Sequence, residues 1–441
     1  MDKKNILILG AGFGGLTVLK YLLRDLKKRE DIKITLIDKQ NYFLFSPLLH
    51  ELAVGVLFPE NIVVPIRNLY RSNIHQFVQA RVEDINLSEG KVKTSAGIFS
   101  YDYIVLALGG VTDISGMADN IENGSNVFSL KSAEDAVAVK NHIIKMFEKA
   151  SAETDPAVVE ELLTLAISGA GYTGVQLASS LSDVVYKYLL SSYPDIDPAR
   201  IKINLIESKD RVISELPEKY SHYVMKHLQK HNINVRLNCR ITEIGSHRIR
   251  LDTGEAIPSR TVVYVTGVVA NPVISSIGAE KDAIGRVIVN DFLELVNCGG
   301  AYAVGDCVHY QDSVTGQVAR QRAHNAVRQA AVVARNLVAD ITQKKRTKYR
   351  ISDSAEVISL GRSNALLRLN GFSLSGILAI LVWVISYSLL AIGKKNRVKI
   401  AVDWVLARIF GPDTSLIESQ DIESRLGKDS DLSAVIDNKG S

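Results

Sequence analysis

Cysteine is scarce in this chain of 441 residues: only Cys239, Cys298 and Cys307 occur. None forms a C-x-x-C pair, and the one histidine near any of them is His309, two residues after Cys307. This spacing argues against a disulfide framework and a thiolate zinc site, so the three read as structural thiols and no metal is expected. No cysteine precedes Cys239. Chemistry that carries sulfur or a redox disulfide beside an N-terminal cofactor therefore has no residues to use. Excess charge is scarce too. Lys and Arg total 52 against 48 Asp and Glu, a formal net charge of +4. Without a long basic run, nucleic-acid binding is not expected. Long apolar runs are also lacking. Met1-Asp2-Lys3-Lys4 leads straight into a short strand pattern, which predicts no signal peptide. The longest relevant stretch, Gly376 to Ile392, runs seventeen residues without a charge.

Glycine is present in a particular arrangement. Gly10-Ala11-Gly12-Phe13-Gly14-Gly15 follows the apolar run Asn5 to Leu9, and Gly169-Ala170-Gly171-Tyr172-Thr173-Gly174 follows Leu163 to Ser168. Both spell G-x-G-x-x-G between a strand pattern and a helix pattern. The first glycine permits the turn, the second lets backbone approach a pyrophosphate, and the third lets helix pack on strand. The pyrophosphate then meets the free N–H groups of a helix start. Each loop is followed by a strand pattern ending in an acid, Lys33 to Asp38 and Lys202 to Glu207. Such a carboxylate accepts hydrogen bonds from an adenosine ribose. Two such units in one chain predict two bound dinucleotides and hydride chemistry between them. Glu207 also bears on the choice of nicotinamide. A 2′-phosphate ~4 Å from a carboxylate costs up to ~4 kcal/mol at an effective dielectric of ~20. NADH is therefore preferred to NADPH, with Lys209 and Arg211 close enough in sequence to soften the preference.

The plan of glycine loop, acid-ended strand and later strand-into-glycine occurs twice. It closes at Tyr101 to Gly110 in the first copy and at Thr261 to Gly267 in the second. The fold class is α/β, with two Rossmann-like dinucleotide-binding domains and a C-terminal membrane-associating region. The expected division is 1–112 for the first unit, 113–267 for the second, 268–350 for a return to the first, and 351–441 for the C-terminal region with a loose tail. A helix is predicted over about Ser132 to Ala150 and another over about Arg320 to Asp340. Strands are expected within 351–369. As a helix, Gly376 to Ile392 spans ~26 Å at ~1.5 Å per residue, against a hydrocarbon core of ~30 Å. A buried or dimer helix, a single span and a monotopic anchor all remain open; the basic cluster Lys394, Lys395, Arg397 and Lys399 and the interfacial Trp383 and Tyr387 weight the reading toward an anchor. A second, partly apolar helix is expected from Asp403 to Phe410.

Beyond the glycine loops, the chain resembles the type II NADH:quinone oxidoreductases, single-subunit, non-pumping membrane flavoenzymes, over about residues 4 to 418. Asn41-Tyr42-Phe43-Leu44-Phe45-Ser46-Pro47-Leu48-Leu49-His50-Glu51-Leu52-Ala53 is similar to the family's segment after the flavin-ribose acid. Gly305-Asp306 resembles its flavin-contacting Gly-Asp, and the hydrophobic C-terminus its membrane-attachment region. The resemblance implies FAD at the first loop and NADH, as substrate, at the second. It implies hydride transfer from NADH to FAD, then two electrons to a membrane quinone. It further implies peripheral or monotopic attachment to the cytoplasmic face of the inner or plasma membrane, contact with membrane lipid through the C-terminal region, and room for a homodimer. Carried onto this sequence, the cofactor residues are Gly10, Gly12, Gly14, Gly15, Asp38, Lys39, Pro47, Gly109, Gly169, Gly171, Gly174, Glu207, Gly267, Gly305, Asp306 and Gln321, with the first loop, Asp38 and Asp306 making the flavin half and the second loop and Glu207 the nicotinamide half. Gln176, Gln321 and His324 are assigned to catalysis, and Lys131 is a weaker contact.

Two positions depart from the family pattern. The family commonly has Glu two residues after the third glycine of the NADH loop, where this chain has Gln176, which cannot relay a proton as a carboxylate can. The quinone-site stretch A-Q-x-A-x-Q is here Arg320-Gln321-Arg322-Ala323-His324-Asn325, with Asn325 shortened and two arginines added. His324 is the nearest titratable group for protonating a quinol. Two alternatives follow. A sulfide:quinone oxidoreductase is disfavoured by the cysteine positions. A membrane-associated flavoprotein acting as a redox sensor or scaffold with weak turnover is kept open by Gln176 and Asn325.

Overall fold

The computed structural model describes residues 3–70, 72–114, 120–352, 356–369 and 371–416. The chain divides into two compact units. The first comprises Met1–Leu44, Val63–Val111 and Val268–Asp353; the second comprises Phe45–Ile62, Thr112–Gly267 and Ser354–Ser441.

The core of the first unit is a parallel sheet in the order Ala301–Ala303, Tyr103–Leu106, Lys4–Leu9, Ile32–Asp38, His75–Gln79. Its strands read as apolar runs because both faces are covered. Ile6, Leu7, Ile8, Leu9, Ile34, Leu36 and Ile37 are all buried. Helices Phe13–Leu26 and Ala323–Ile341 pack against each other. An antiparallel meander, Val82–Asn86, Lys91–Thr94 and Gly97–Ser100, is inserted before Tyr103–Leu106. The edge strand Ala301–Ala303 pairs with Ile104, Val105 and Leu106 although all of residues 112–267 intervene in the chain.

The second unit repeats this plan. Its parallel sheet runs Val127–Phe128, Thr261–Tyr264, Thr164–Ser168, Lys202–Ile206, Ile233–Arg236, and its meander is Ile241–Ile244, Arg248–Leu251 and Ala256–Pro258. The helix Ala133–Ala152 starts with a full capping box, Ser132 accepting from the Asp135 N–H and the Asp135 carboxylate from the Ser132 N–H. The helix Tyr172–Val184 follows the second glycine loop.

The C-terminal region belongs to this second unit. An antiparallel sheet of Glu356–Ser359, Ala365–Leu369 and Phe372–Ser375 leads into the helices Ile377–Leu390 and Lys394–Phe410. The second of these begins at Lys394, well before the expected Asp403, so the basic cluster occupies its first turns. Residues 45–62 also pack here, although the sequence reading placed them with the first nucleotide unit. Their polar groups explain why: the Asn61 side-chain amide donates to the buried Asp403, and its Oδ1 accepts from Lys399 at 3.0 Å. The single-span reading of Gly376 to Ile392 is set aside. The helix Ile377–Leu390 has fourteen residues, ~21 Å at ~1.5 Å per residue, and no described helix is long and apolar enough to cross a membrane. The tail expected to be loose lies, from residue 417, outside the described residues.

Two histidines are buried neutral in the second unit. His142 Nε2 lies 2.9 Å from the Thr261 hydroxyl and 3.2 Å from the Arg260 carbonyl, and burial pushes its pKa down to about 4. His227, whose Nδ1 faces the Asn364 amide at 3.0 Å, is pushed down to about 4 by burial and by neighbouring His231. Both groups are harder to protonate in the folded than in the unfolded chain. Their contribution is present above the ordinary value near 6.5 and is lost as pH falls toward about 4. The melting temperature should drop across that window, by the equivalent of roughly 1–3 kcal/mol from His142. His142→Gln should flatten the drop, and an unchanged acid slope in that variant would assign the effect elsewhere.

Candidate dinucleotide sites

The first glycine loop closes around backbone. Gly10 has φ +99°, and a Cβ there would strike the Ala107 carbonyl. A Cβ on Gly15 would strike the Gly10 carbonyl, and one on Gly14 would lie 2.7 Å from Val304 Cγ2. Gly12 differs, with nothing within 4 Å of an added Cβ. Gly12 is also the N-cap of the helix Phe13–Leu26 and offers no capping side chain. The helix start therefore keeps its N–H groups for another acceptor, with open space beside them. A pyrophosphate fits both features.

Asp38, at the end of the neighbouring strand, is fixed by two backbone donors: the Ala11 N–H at 2.6 Å and the Gln40 N–H at 2.8 Å. Burial pushes its pKa up, while those donors and Lys39 pull it down. Each oxygen keeps a lone pair for a ribose hydroxyl. Further along the carboxyl end of the sheet, a Cβ on Gly110 would lie 3.4 Å from Asp306 Cβ. Gly305 has φ +82° and donates its N–H to Gln329 at 2.8 Å. The Gln321 amide donates to the Asp306 carbonyl at 2.8 Å. The unit thus brings Gly10, Gly109, Asp306 and Gln321 to the end of the strands where α/β sheets bind ligands. Asn325 donates to the Arg320 carbonyl at 2.8 Å, so its side chain closes the helix start. His324 stands in the first turn of the helix Ala323–Ile341. Lys39 is exposed.

The second loop copies the first. Gly169 has φ +105°, a Cβ on Gly174 would strike the Gly169 carbonyl, and Gly171 again has nothing within 4 Å. Glu207 accepts from the Ala170 N–H at 2.7 Å and the Lys209 N–H at 3.0 Å, matching Asp38 in the first unit. Gly267 has φ +61°, and its carbonyl accepts from the Asp113 N–H at 3.3 Å. Lys209 Nζ donates to the Ser214 hydroxyl at 3.1 Å and Arg211 to the Ser214 carbonyl at 3.0 Å. Pro47 starts a short turn in the second unit, not the first.

Gln176, in the second turn of the helix Tyr172–Val184, is buried. Its Nε2 donates to the Ser359 hydroxyl at 3.1 Å. The same hydroxyl lies 3.1 Å from His50 Nε2, which is 3.4 Å from the Glu51 carboxylate. The sequence reading named Gln176 but missed the other three. The available signal was a titratable pair, His50-Glu51, set between Leu49 and Leu52 where an apolar run is expected to continue.

Sulfur chemistry finds no support in the thiols. All three cysteines are free. Cys307 is buried, donates toward the Leu106 and Val304 carbonyls at 3.4 and 3.3 Å, and is pushed up to about 12 by burial and Asp306, so it carries no thiolate at neutral pH. Among the described residues no group of His, Cys, Asp and Glu is arranged to hold a metal.

Comparison with known proteins shows the fold and the family. The chain is 27% identical over 419 residues to the type II NADH:quinone oxidoreductase NdhA of Mycobacterium tuberculosis, covering 91% of this chain and 86% of that one. Its fold matches NDH2 from Plasmodium falciparum, solved in complex with NADH, with a TM-score of 0.84 at 18% identity, covering 94% and 100% of the two chains. It also matches the sulfide:quinone oxidoreductase of Aquifex aeolicus, with a TM-score of 0.70 at 20% identity over 93% and 96%. The family model described as pyridine nucleotide-disulphide oxidoreductase matches residues 4–330. That match spans well over half of the sequence, and the chain belongs to the pyridine nucleotide-disulphide oxidoreductase family.

Proposed function

We propose that this protein oxidises NADH and delivers the two electrons, through FAD, to a membrane quinone without pumping protons. The observation that carries this reading is the pair of matched cradles, each with an open second glycine, an uncapped helix start and a carboxylate pinned by the loop's own N–H. FAD, when bound, supplies the redox chemistry by taking hydride and releasing electrons. The protein's part is to bind and orient. Gly10, Gly12, Gly14 and Gly15 leave room for the flavin nucleotide's pyrophosphate, and Asp38 holds its ribose. Asp306, shaped by Gly305 and Gln321, takes the polyol chain, with Gly109 beside it. Gly169, Gly171 and Gly174 receive NADH, and Glu207 accepts from both ribose hydroxyls. Gln176, Gln321 and His324 are the polar groups assigned to the reacting ends.

The C-terminal hairpin supports attachment to a lipid surface, where the quinone is dissolved. Leu378, Leu381, Val382, Ile385 and Leu389 form one exposed stripe of the helix Ile377–Leu390, and Val398, Val402, Val405 and Ile409 another on Lys394–Phe410. In both helices the apolar stripe faces outward while Trp383, Ile400 and Asp403 face in. Lys394, Lys395 and Arg397 are exposed beside the stripes, where each contributes ~1 kcal/mol toward an anionic surface. This arrangement fits monotopic attachment on the cytoplasmic face.

Three outcomes test the proposal. Anaerobic addition of NADH to the FAD-loaded protein should bleach the flavin absorbance, and a short-chain quinone should restore it; recovery with oxygen alone would remove the quinone from the reaction. In Glu207→Ala, kcat/KM for NADH should fall by about tenfold while that for NADPH changes little. An unmoved ratio would deny Glu207 its part in selection. Finally, the protein should float with vesicles containing anionic lipid, and the double variant Leu381→Asp, Val405→Asp should stay in the soluble fraction with its flavin retained. Continued flotation of that variant would place the contact on another surface.

A further inference from the structure

Residues 313–350 carry nine Lys and Arg and one acid, Asp340, in a chain whose whole formal charge is only +4. All of this stretch belongs to the first unit. Its helix, Ala323–Ile341, buries Ala330, Val333, Ala334 and Leu337 and leaves Arg328 and Arg335 exposed. Past the helix the chain turns back along it. The Asn336 amide donates to the Thr347 carbonyl at 3.0 Å, and Asn336 Oδ1 accepts from the Thr347 N–H at 2.7 Å. This returning segment leaves Lys344 and Lys345 exposed. Among the described residues, Arg328, Arg335, Lys344 and Lys345 have no carboxylate partner. The nearby acids are already engaged. Asp340 accepts from the Tyr302 hydroxyl and from Arg346, and Asp291 is held by Lys348 at 3.1 Å and Arg350 at 3.2 Å.

The returning segment ends against a hairpin. Arg350 donates to the Tyr310 hydroxyl at 3.2 Å, and the Ile351 N–H donates to the Asp312 carboxylate at 3.1 Å. The hairpin is closed by the bridge between Gln311 and Val318. Asp312 also pins its turn, accepting from the Val314 N–H at 2.9 Å and the Thr315 N–H at 3.2 Å. That carboxylate is 1% exposed, so it presents little charge to the outside. Val314, on the pinned turn, is 75% exposed; Val318 is 42% exposed, and Val327, next to Arg328, 37%. Cations alone suit any phosphate polymer. Cations interleaved with exposed aliphatic side chains suit a bilayer surface, which offers phosphates and, just beneath them, acyl chains.

We propose that this face of the first unit is a docking surface for an anionic phospholipid bilayer. The exposed cations of the helix Ala323–Ile341 and of the returning segment meet headgroup phosphates, and the Val314 turn dips among the headgroups. The surface is separate from the C-terminal hairpin, which belongs to the second unit. At physiological salt, charges are screened within about 8 Å. The face therefore adds affinity to an attachment made elsewhere and does not hold the chain alone. Gln321 and His324 stand at the start of the same helix, so lipid docked here lies along the element that carries residues assigned above to the quinone.

The test uses the FAD-loaded full chain, titrated with vesicles of phosphatidylcholine alone or mixed with phosphatidylglycerol. The triple variant Arg328→Ser, Lys344→Ser, Lys345→Ser should bind the anionic vesicles about tenfold or more weakly than wild type, since each cation at such a surface is worth about fivefold. The two proteins should bind phosphatidylcholine alone equally, which separates this face from the C-terminal hairpin. Val314→Asp should also weaken binding to the anionic vesicles. A charge-matched triple variant on the first unit's meander, Arg81→Ser, Lys91→Ser, Lys93→Ser, should bind them as wild type does. Flavin content and circular dichroism matched to wild type show that each variant is folded. Equal binding of anionic vesicles by wild type and the Arg328 triple variant would overturn the proposal, as would an equal loss in the meander variant. Tighter binding to a duplex oligonucleotide than to anionic vesicles would overturn it in favour of a nucleic acid.

Discussion

Both nucleotide units depend on one close contact, the third glycine of each loop against the carbonyl of the first. At Gly15 against Gly10, and at Gly174 against Gly169, no side-chain atom fits. The contact sets the distance from helix to sheet, and so where the helix start points. The acid on the next strand then falls within reach of the loop: Asp38 accepts from Ala11 and Glu207 from Ala170. One carbon's worth of missing volume therefore positions the N–H groups, the open second glycine and the carboxylate together. The same arrangement appears in two sheets with the same strand order, although one edge strand comes from later in the chain and the other from earlier.

Polar anchors give the C-terminal region its place in the second unit. Asp183, buried on the helix after the second loop, accepts from the Arg362 N–H and packs against Gly361, where a Cβ would strike its carboxylate. Asn61 holds Asp403 and Lys399. Trp383 stacks on Tyr387 at 4.9 Å and tilts against Trp404 at 5.1 Å. With the inner faces of both hairpin helices spent on these contacts, the aliphatic residues left over point outward. The exposed stripes thus follow from how the inner faces are satisfied.

The likeness to a sulfide:quinone oxidoreductase is one of fold, and the thiol following Asp306 lies against the Leu106 and Val304 carbonyls. The buried pair His50-Glu51 is linked through the Ser359 hydroxyl to Gln176.

The sequence by itself determined the two loops, the acid that ends the strand after each, the α/β class and the repeated plan. These features are local: a turn that needs glycine, a strand that ends in an acid and a spacing that admits or refuses a pair all lie within a few tens of residues. The tertiary structure alone decided that residues 45–62 join the second unit, that Lys209 and Arg211 turn toward Ser214, that the apolar hairpin packs its aromatics inward, and that Gln176 belongs to a cluster with Ser359 and His50. The last case shows the physical reason. His50 and Ser359 are 309 residues apart in the chain, and no periodicity or spacing signals that a single buried hydroxyl must satisfy both an imidazole and an amide.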